Sequence, residues 1–377
     1  MLTRSYHDRI MLNMSKRYLL IVIVFVLLGI SGWLVFSLVS PDNQTLTADL
    51  SGALGRFNTP TKSLNSAPAL HLVRISSVPA LGAGLSADGR TVLYFDKNSN
   101  RLTQSDFTGT KSSSLAVTAP GKVNDAIWSN NGKDGIVSYT SGNSKKFGYV
   151  NLRNNQITKL ADNIVTPTFS PNGDRVTYLY HETSTGRGNI SIANPDGGDF
   201  KIVLSTRNLE LGLSWPRLGE IAFYNPRQID GGIFLLDTAT HQLKNVTPDI
   251  NPTAMIDGMN WSPNGERLIY SERAEDERAL YVLNANTGGR DLLDFTSHPD
   301  KCVWGLNSKT LYCGGRLTGD RADSLFQIDL STKEIKQLTE PLAADQINIF
   351  KPIITPTEDY IIFTNQNDGY LYSIKLP

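Results

Sequence analysis

From residue 70 to the C-terminus the chain repeats one pattern seven times: an apolar or aromatic anchor, a tight turn, then a strand rich in β-branched and aromatic residues. The anchors are Leu85, Trp128, Phe169, Trp215, Trp261, Trp304 and Ile354. Four residues past them stand Gly89, Gly132, Gly173, Gly219 and Gly265, with Ser308 and Glu358 in the last two repeats. Three copies are nearly the same string: LSADGRTVLY, FSPNGDRVTY and WSPNGERLIY. Ala-Asp-Gly and Pro-Asn-Gly supply the positive φ that a tight hairpin requires.

A second landmark follows each of the first six anchors: an Asp or Asn that ends an alternating strand, at Asp106, Asn151, Asn194, Asp237, Asn284 and Asp329. An Asx side chain bonds its own backbone two residues on, so a turn-starting role accounts for them. Calcium ligation does not, because no DxDxDG loop occurs. Each period therefore holds four strands in 41 to 50 residues, the signature of propeller blades. Residues 352–377 supply three strands of the seventh blade, and the missing one is available at 70–75, LHLVRI. Pairing that strand with the C-terminal three closes the ring and removes an exposed edge. The fold class is all-β, a seven-bladed β-propeller over 69–377 closed by an N-terminal strand.

Ahead of it, residues 18–39 carry no charge. At about 1.5 Å per residue they span a hydrocarbon core of about 30 Å. The stretch is too long for a cleaved leader's apolar region, and Ser40 is followed by Pro41, so an uncleaved transmembrane anchor is expected. Arg4, Arg9, Lys16 and Arg17 precede it while Asp42 and Asp49 follow. The positive-inside tendency then leaves 1–17 cytoplasmic and exports everything after the helix. Residues 40–68, rich in Ser, Thr, Asn and Pro, are expected to form a flexible linker. Charge is balanced at 36 basic and 36 acidic residues, which argues against a nucleic-acid partner.

The succession of anchor, Ser-Pro-Asn-Gly, strand ending in Tyr and strand ending in Asp or Asn resembles the TolB-type propeller repeat. That repeat also occurs in the propeller halves of prolyl-oligopeptidase-like enzymes. The resemblance covers 70–377 and implies a protein-binding propeller. Two departures separate the chain from TolB itself: it has no α/β domain before the propeller, and it keeps an apolar anchor.

No GxSxG elbow, HExxH, Walker loop or GxGxxG after a strand occurs, so neither a catalytic residue, a cofactor nor a metal is assigned. Cys302 and Cys313 fall on adjacent strands of one blade and are read either as an extracytoplasmic disulfide or as two buried thiols. The long loops joining second to third strands, and blade to blade, emerge on one face. They carry Arg187, Arg227, Arg273, Arg316 and Arg321, the residues expected to bind a partner. The chain is thus expected to be a non-enzymatic, envelope-facing scaffold for a protein or peptide, held to the membrane by one helix. Two alternatives stand beside it: a propeller enzyme acting on envelope glycans through a distributed site, and a structural component of a membrane assembly.

Overall fold

The computed structural model describes residues 55–56, 61–62 and 70–377, apart from 276, 294–296, 318–319 and 343–345. The chain divides into two units, Met1–Gly55 and Arg56–Pro377, and the second forms a seven-bladed propeller. The blades occupy 80–118, 122–159, 164–206, 212–245, 255–293, 302–337 and 349–375, each with antiparallel strands in sequence order from the channel outward. In blade 7 the outermost strand is Leu72–Arg74, which pairs Leu72 with Ile374, Val73 with Ser373 and Arg74 with Tyr372. Ring closure by an N-terminal strand is therefore as expected. Ser76 helps lock it, its buried Oγ accepting from the Leu371 amide at 2.9 Å.

The repeat residues do what their chemistry suggests. Gly89, Gly132, Gly173, Gly219 and Gly265 all have positive φ, and Ser308 and Glu358 adopt the same left-handed backbone at 56° and 55°. The Asx residues cap turns at the same end: Asp237 Oδ1 accepts from the Ala239 and Thr240 amides, and Asn284 Oδ1 from Asn286 and Thr287. Seven apolar clusters fill the seven junctions between adjacent blades. The anchor Trp128 reaches across one junction to donate to the Gly82 carbonyl at 2.7 Å, and Trp304 to Asn260 at 3.2 Å. A blade cannot bury its own two faces, so the ring is one cooperative core.

Two expectations meet limits. The apolar segment 18–39 lies outside the described residues; among those described, no helix is long and apolar enough to cross a membrane. Where it is described, the expected linker contains two short strands, Gly55–Arg56 and Thr61–Lys62, and the second pairs in parallel with Glu334–Gln337 at the rim of blade 6. That outermost strand otherwise offers an unpaired row of amides and carbonyls, which recruits passing backbone.

Candidate functional site on the loop face of blades 5 and 6

In every blade the innermost strand starts at the loop face, and in six of the seven its pairing with the second strand is broken by a bulge. In blade 5 that bulge falls between Ile256 and Met259 and holds Asp257 and Gly258. Gly258 has φ 102°, and a Cβ there would come within 3.0 Å of the His298 ring. The glycine thus lets the turn at Pro299–Lys301 settle against the strand. His298 caps that turn, its Nδ1 accepting from the Asp300 amide at 3.1 Å. Its Nε2 lies 3.9 Å from Asp257 Oδ1.

The second and third strands of blade 5 set Arg273 opposite Arg278. Like charges so placed repel, and Asp257 is their shared counter-ion. Its Oδ2 accepts from Arg278 Nη2 at 2.6 Å and Nε at 3.0 Å, and Arg273 Nε stands 3.6 Å away. In blade 6 the arrangement recurs around Asp323, which is fully buried. Its carboxylate accepts from Lys301 Nζ at 2.8 Å, Arg316 Nε at 2.9 Å and the Ile349 amide at 2.8 Å. The two groups meet at Lys301. Burial pushes its ammonium below the ordinary lysine value, Arg316 and Arg278 add to that, and Asp323 opposes them. Tyr224, at the end of a blade 4 strand, completes the wall. Burial, with Asp300 and Asp257 adding, pushes its phenol up to about 12, against a bond from the Gly258 backbone.

The corner therefore holds Arg273, Arg278, Lys301 and Arg316 around the carboxylates of Asp257 and Asp323, with Asp300, the His298 imidazole and a neutral phenol beside them. It can hold an anion between guanidinium groups, and it has a lysine whose proton is loosened. Of the arginines expected at a partner surface, Arg273 and Arg316 belong to this cluster and the others do not. Arg227 is exposed and paired with Glu210 from the preceding blade-to-blade loop. Arg187 and Arg321 are exposed without an ion pair among the described residues. Asp257 and Lys301 escaped the sequence reading; an Asp-Gly pair interrupting an innermost strand is the signal that marks the first. Cys302, which directly follows Lys301, is the register partner of Cys313, and the two are joined as a disulfide.

The fold is shared with solved proteins. An oligogalacturonate lyase in complex with manganese is similar over 86% of this chain and 99% of its own, with a TM-score of 0.62 and 12% identity. A puromycin-hydrolysing peptidase of Mycobacterium tuberculosis matches 79% of this chain with a TM-score of 0.53 and 15% identity; the match covers about half, 52%, of the peptidase. TolB from Acinetobacter baumannii matches 70% of this chain and 67% of its own, with a TM-score of 0.48 and 12% identity. No protein-family model matches the sequence, and no curated protein does. The seven-bladed propeller is the fold that the TolB-like repeat implied.

The expectation of a non-enzyme is corrected by these likenesses. A lyase and a peptidase have this propeller fold, and a site assembled from separate blades leaves no linear motif to find. Among the described residues no group of three or more His, Cys, Asp or Glu is disposed to hold a metal, and Asp257, beside His298, is already occupied by guanidinium groups.

Proposed function

We propose that the protein is an enzyme acting on acidic glycans, with the cluster of blades 5 and 6 as its site. The observation that carries the reading is the convergence of Arg273, Arg278, Lys301 and Arg316 on the carboxylates of Asp257 and Asp323 at one corner of the loop face, with Asp300 the one further carboxylate placed there among the described residues. Cations in that excess suit a ligand that brings its own carboxylates. The shared fold supports the class, since the neighbour that matches along 99% of its length is named for an acidic sugar oligomer. The apolar segment 18–39 and the charges around it would hold this activity at the envelope, facing outward.

The chemistry that fits is elimination next to a sugar carboxylate. Arg278 and Arg316 would neutralise the carboxylate by bidentate contact, which acidifies the adjacent C–H. In the deprotonated form that burial favours, Lys301 would accept that proton as the bond to the neighbouring sugar's oxygen breaks, and Asp323 would hold the ammonium so formed. Tyr224, kept neutral by its raised pKa, remains a hydrogen-bond donor at the departing oxygen.

The test is the full chain in detergent, mixed with polygalacturonate, alginate and hyaluronan, and followed by the ultraviolet absorbance of the conjugated double bond that elimination creates. Activity on at least one polymer is expected, with a loss of about 100-fold or more in the Arg278→Ala/Arg316→Ala variant. Absence of product from every acidic polymer would overturn the enzyme reading.

A further inference from the structure

Across the channel mouth from this corner, a cleft of about 170 Å³ opens between blades 2 and 3, lined by Asp125, Ser138, Lys145, Phe147 and Thr166. We infer that this cleft is a second ligand site, built for one acidic sugar ring; the choice of an acidic sugar rests on the proposed function, whereas the existence of the site does not. The volume is well below the roughly 300–1,000 Å³ of pockets that enclose drug-sized ligands, so its occupant is small.

The floor is apolar, with Ile127 and Ile136 beside Phe147, and suits the C–H face of a pyranose. The rim is polar and preset. Asp125 sits at the bulge of its innermost strand, where Ser138 Oγ donates to its carbonyl at 3.3 Å. Its Oδ2 is held by Lys351, which comes from blade 7. Blade 1 lies between the two, and its innermost strand Ala80–Leu85 reads ALGAGL, with nothing larger than a methyl group at 82–84. Lys351 therefore has a clear path past it, and Oδ1 of Asp125 is left to accept from a sugar hydroxyl.

Lys145 supplies the complementary charge. Its ammonium stands over the Phe147 ring at 5.2 Å and has no carboxylate among the described residues, whereas its neighbour Lys146 is paired with Asp162 at 3.2 Å. A cation fixed over an aromatic floor beside an open cleft is a site for a carboxylate.

The backbone points the same way. Thr166, at the cleft's far wall, has φ 47°, and Lys351 has φ 46°. Both precede a proline, and a β-branched residue rarely tolerates the left-handed region. Strain of this kind is kept where it holds a binding geometry.

The experiment is calorimetric titration of the full chain with free galacturonate, reading stoichiometry. Two sites per chain are expected in the parent. Lys145→Ala and Asp125→Ala should each leave one, and so should Arg278→Ala/Arg316→Ala; combining Lys145→Ala with the arginine changes should leave none. Glucose should show no loss between the parent and Lys145→Ala, because it brings no carboxylate. A parent with a single site that Lys145→Ala abolishes would uphold the cleft and remove the blade 5–6 site instead. Unchanged stoichiometry and affinity in both Lys145→Ala and Asp125→Ala, with melting temperatures equal to the parent, would overturn the inference.

Discussion

Asp323 is the residue whose loss should tell most about how the site is held. Its side chain is fully buried and compensates two cations, Lys301 and Arg316, while also accepting from the Ile349 amide. Changing it to Ala leaves two ammonium-type charges and one backbone donor without an acceptor. Removing one partner of a buried charge network costs about 3–5 kcal/mol, because the remaining charge stays buried. With an unfolding entropy of roughly 2 cal/mol/K per residue over a domain of about 300 residues, that amounts to a fall of about 5–8 °C in melting temperature. Asp323→Asn keeps the shape and an oxygen for the Ile349 amide, so it should lose about half as much. Differential scanning calorimetry of the three proteins at one scan rate decides. If Asp323→Ala melts within about 2 °C of the parent, the carboxylate is not the keystone of the cation cluster and the electrostatic argument for the site fails with it.

Ring closure makes deletion of 70–75 far more damaging than deletion of 41–54. The first removes a blade 7 strand and the buried Ile75; similar melting temperatures for the two would count against closure. In acid, Asp237 and Asp329 should matter: backbone N–H bonds from Thr240 and Thr332 are the largest causes holding their carboxyls below the ordinary value of 3.8. The unfolded chain then takes up these protons at higher pH than the folded one, so the stabilisation is full above the unfolded value and fades as pH falls through the lower folded value. Asp237→Asn/Asp329→Asn keeps both turn acceptors and should flatten the acid limb of a melting profile; an unaltered limb would refute the assignment. Finally, the full chain should sediment with membranes and expose its propeller to added protease. A mature N-terminus near Pro41 would replace the anchor by a cleaved leader.

Much of the fold was legible because its determinants are local. Trp128, Trp261 and their equivalents recur at blade spacing, and the turns need left-handed backbone that the sequence supplies as glycine. Even the exceptions, Ser308 and Glu358, keep that backbone. The closing strand was legible by count, since three C-terminal strands required a fourth. The site was not, because its residues come together only through the bend of the ring. Asp257 follows a run of turn-forming residues, TPDINPT at 247–253, yet Met255–Trp261 is the innermost strand of blade 5 and carries Asp257 at its bulge. Arg227 and Arg273 occupy equivalent loops in sequence, yet a neighbouring glutamate, Glu210, claims the first. Which arginine is left for a ligand depends on such carboxylates, and nothing in the spacing of residues reports them. Lys301 was invisible for a related reason: its environment is made by Asp323, Arg316 and Arg278 from two other hairpins.

The central claim, that an acidic glycan sits on the cations of blades 5 and 6, is tested most directly by arginine footprinting. The full chain is treated with phenylglyoxal in the presence and absence of an acidic oligosaccharide, and the modified arginines are identified by mass spectrometry. Arg273, Arg278 and Arg316 should be protected by the oligosaccharide while Arg187 and Arg227 react at the same rate with and without it. Protection of Arg187 and Arg227 with no change at the other three would place the ligand elsewhere on the loop face and contradict the account.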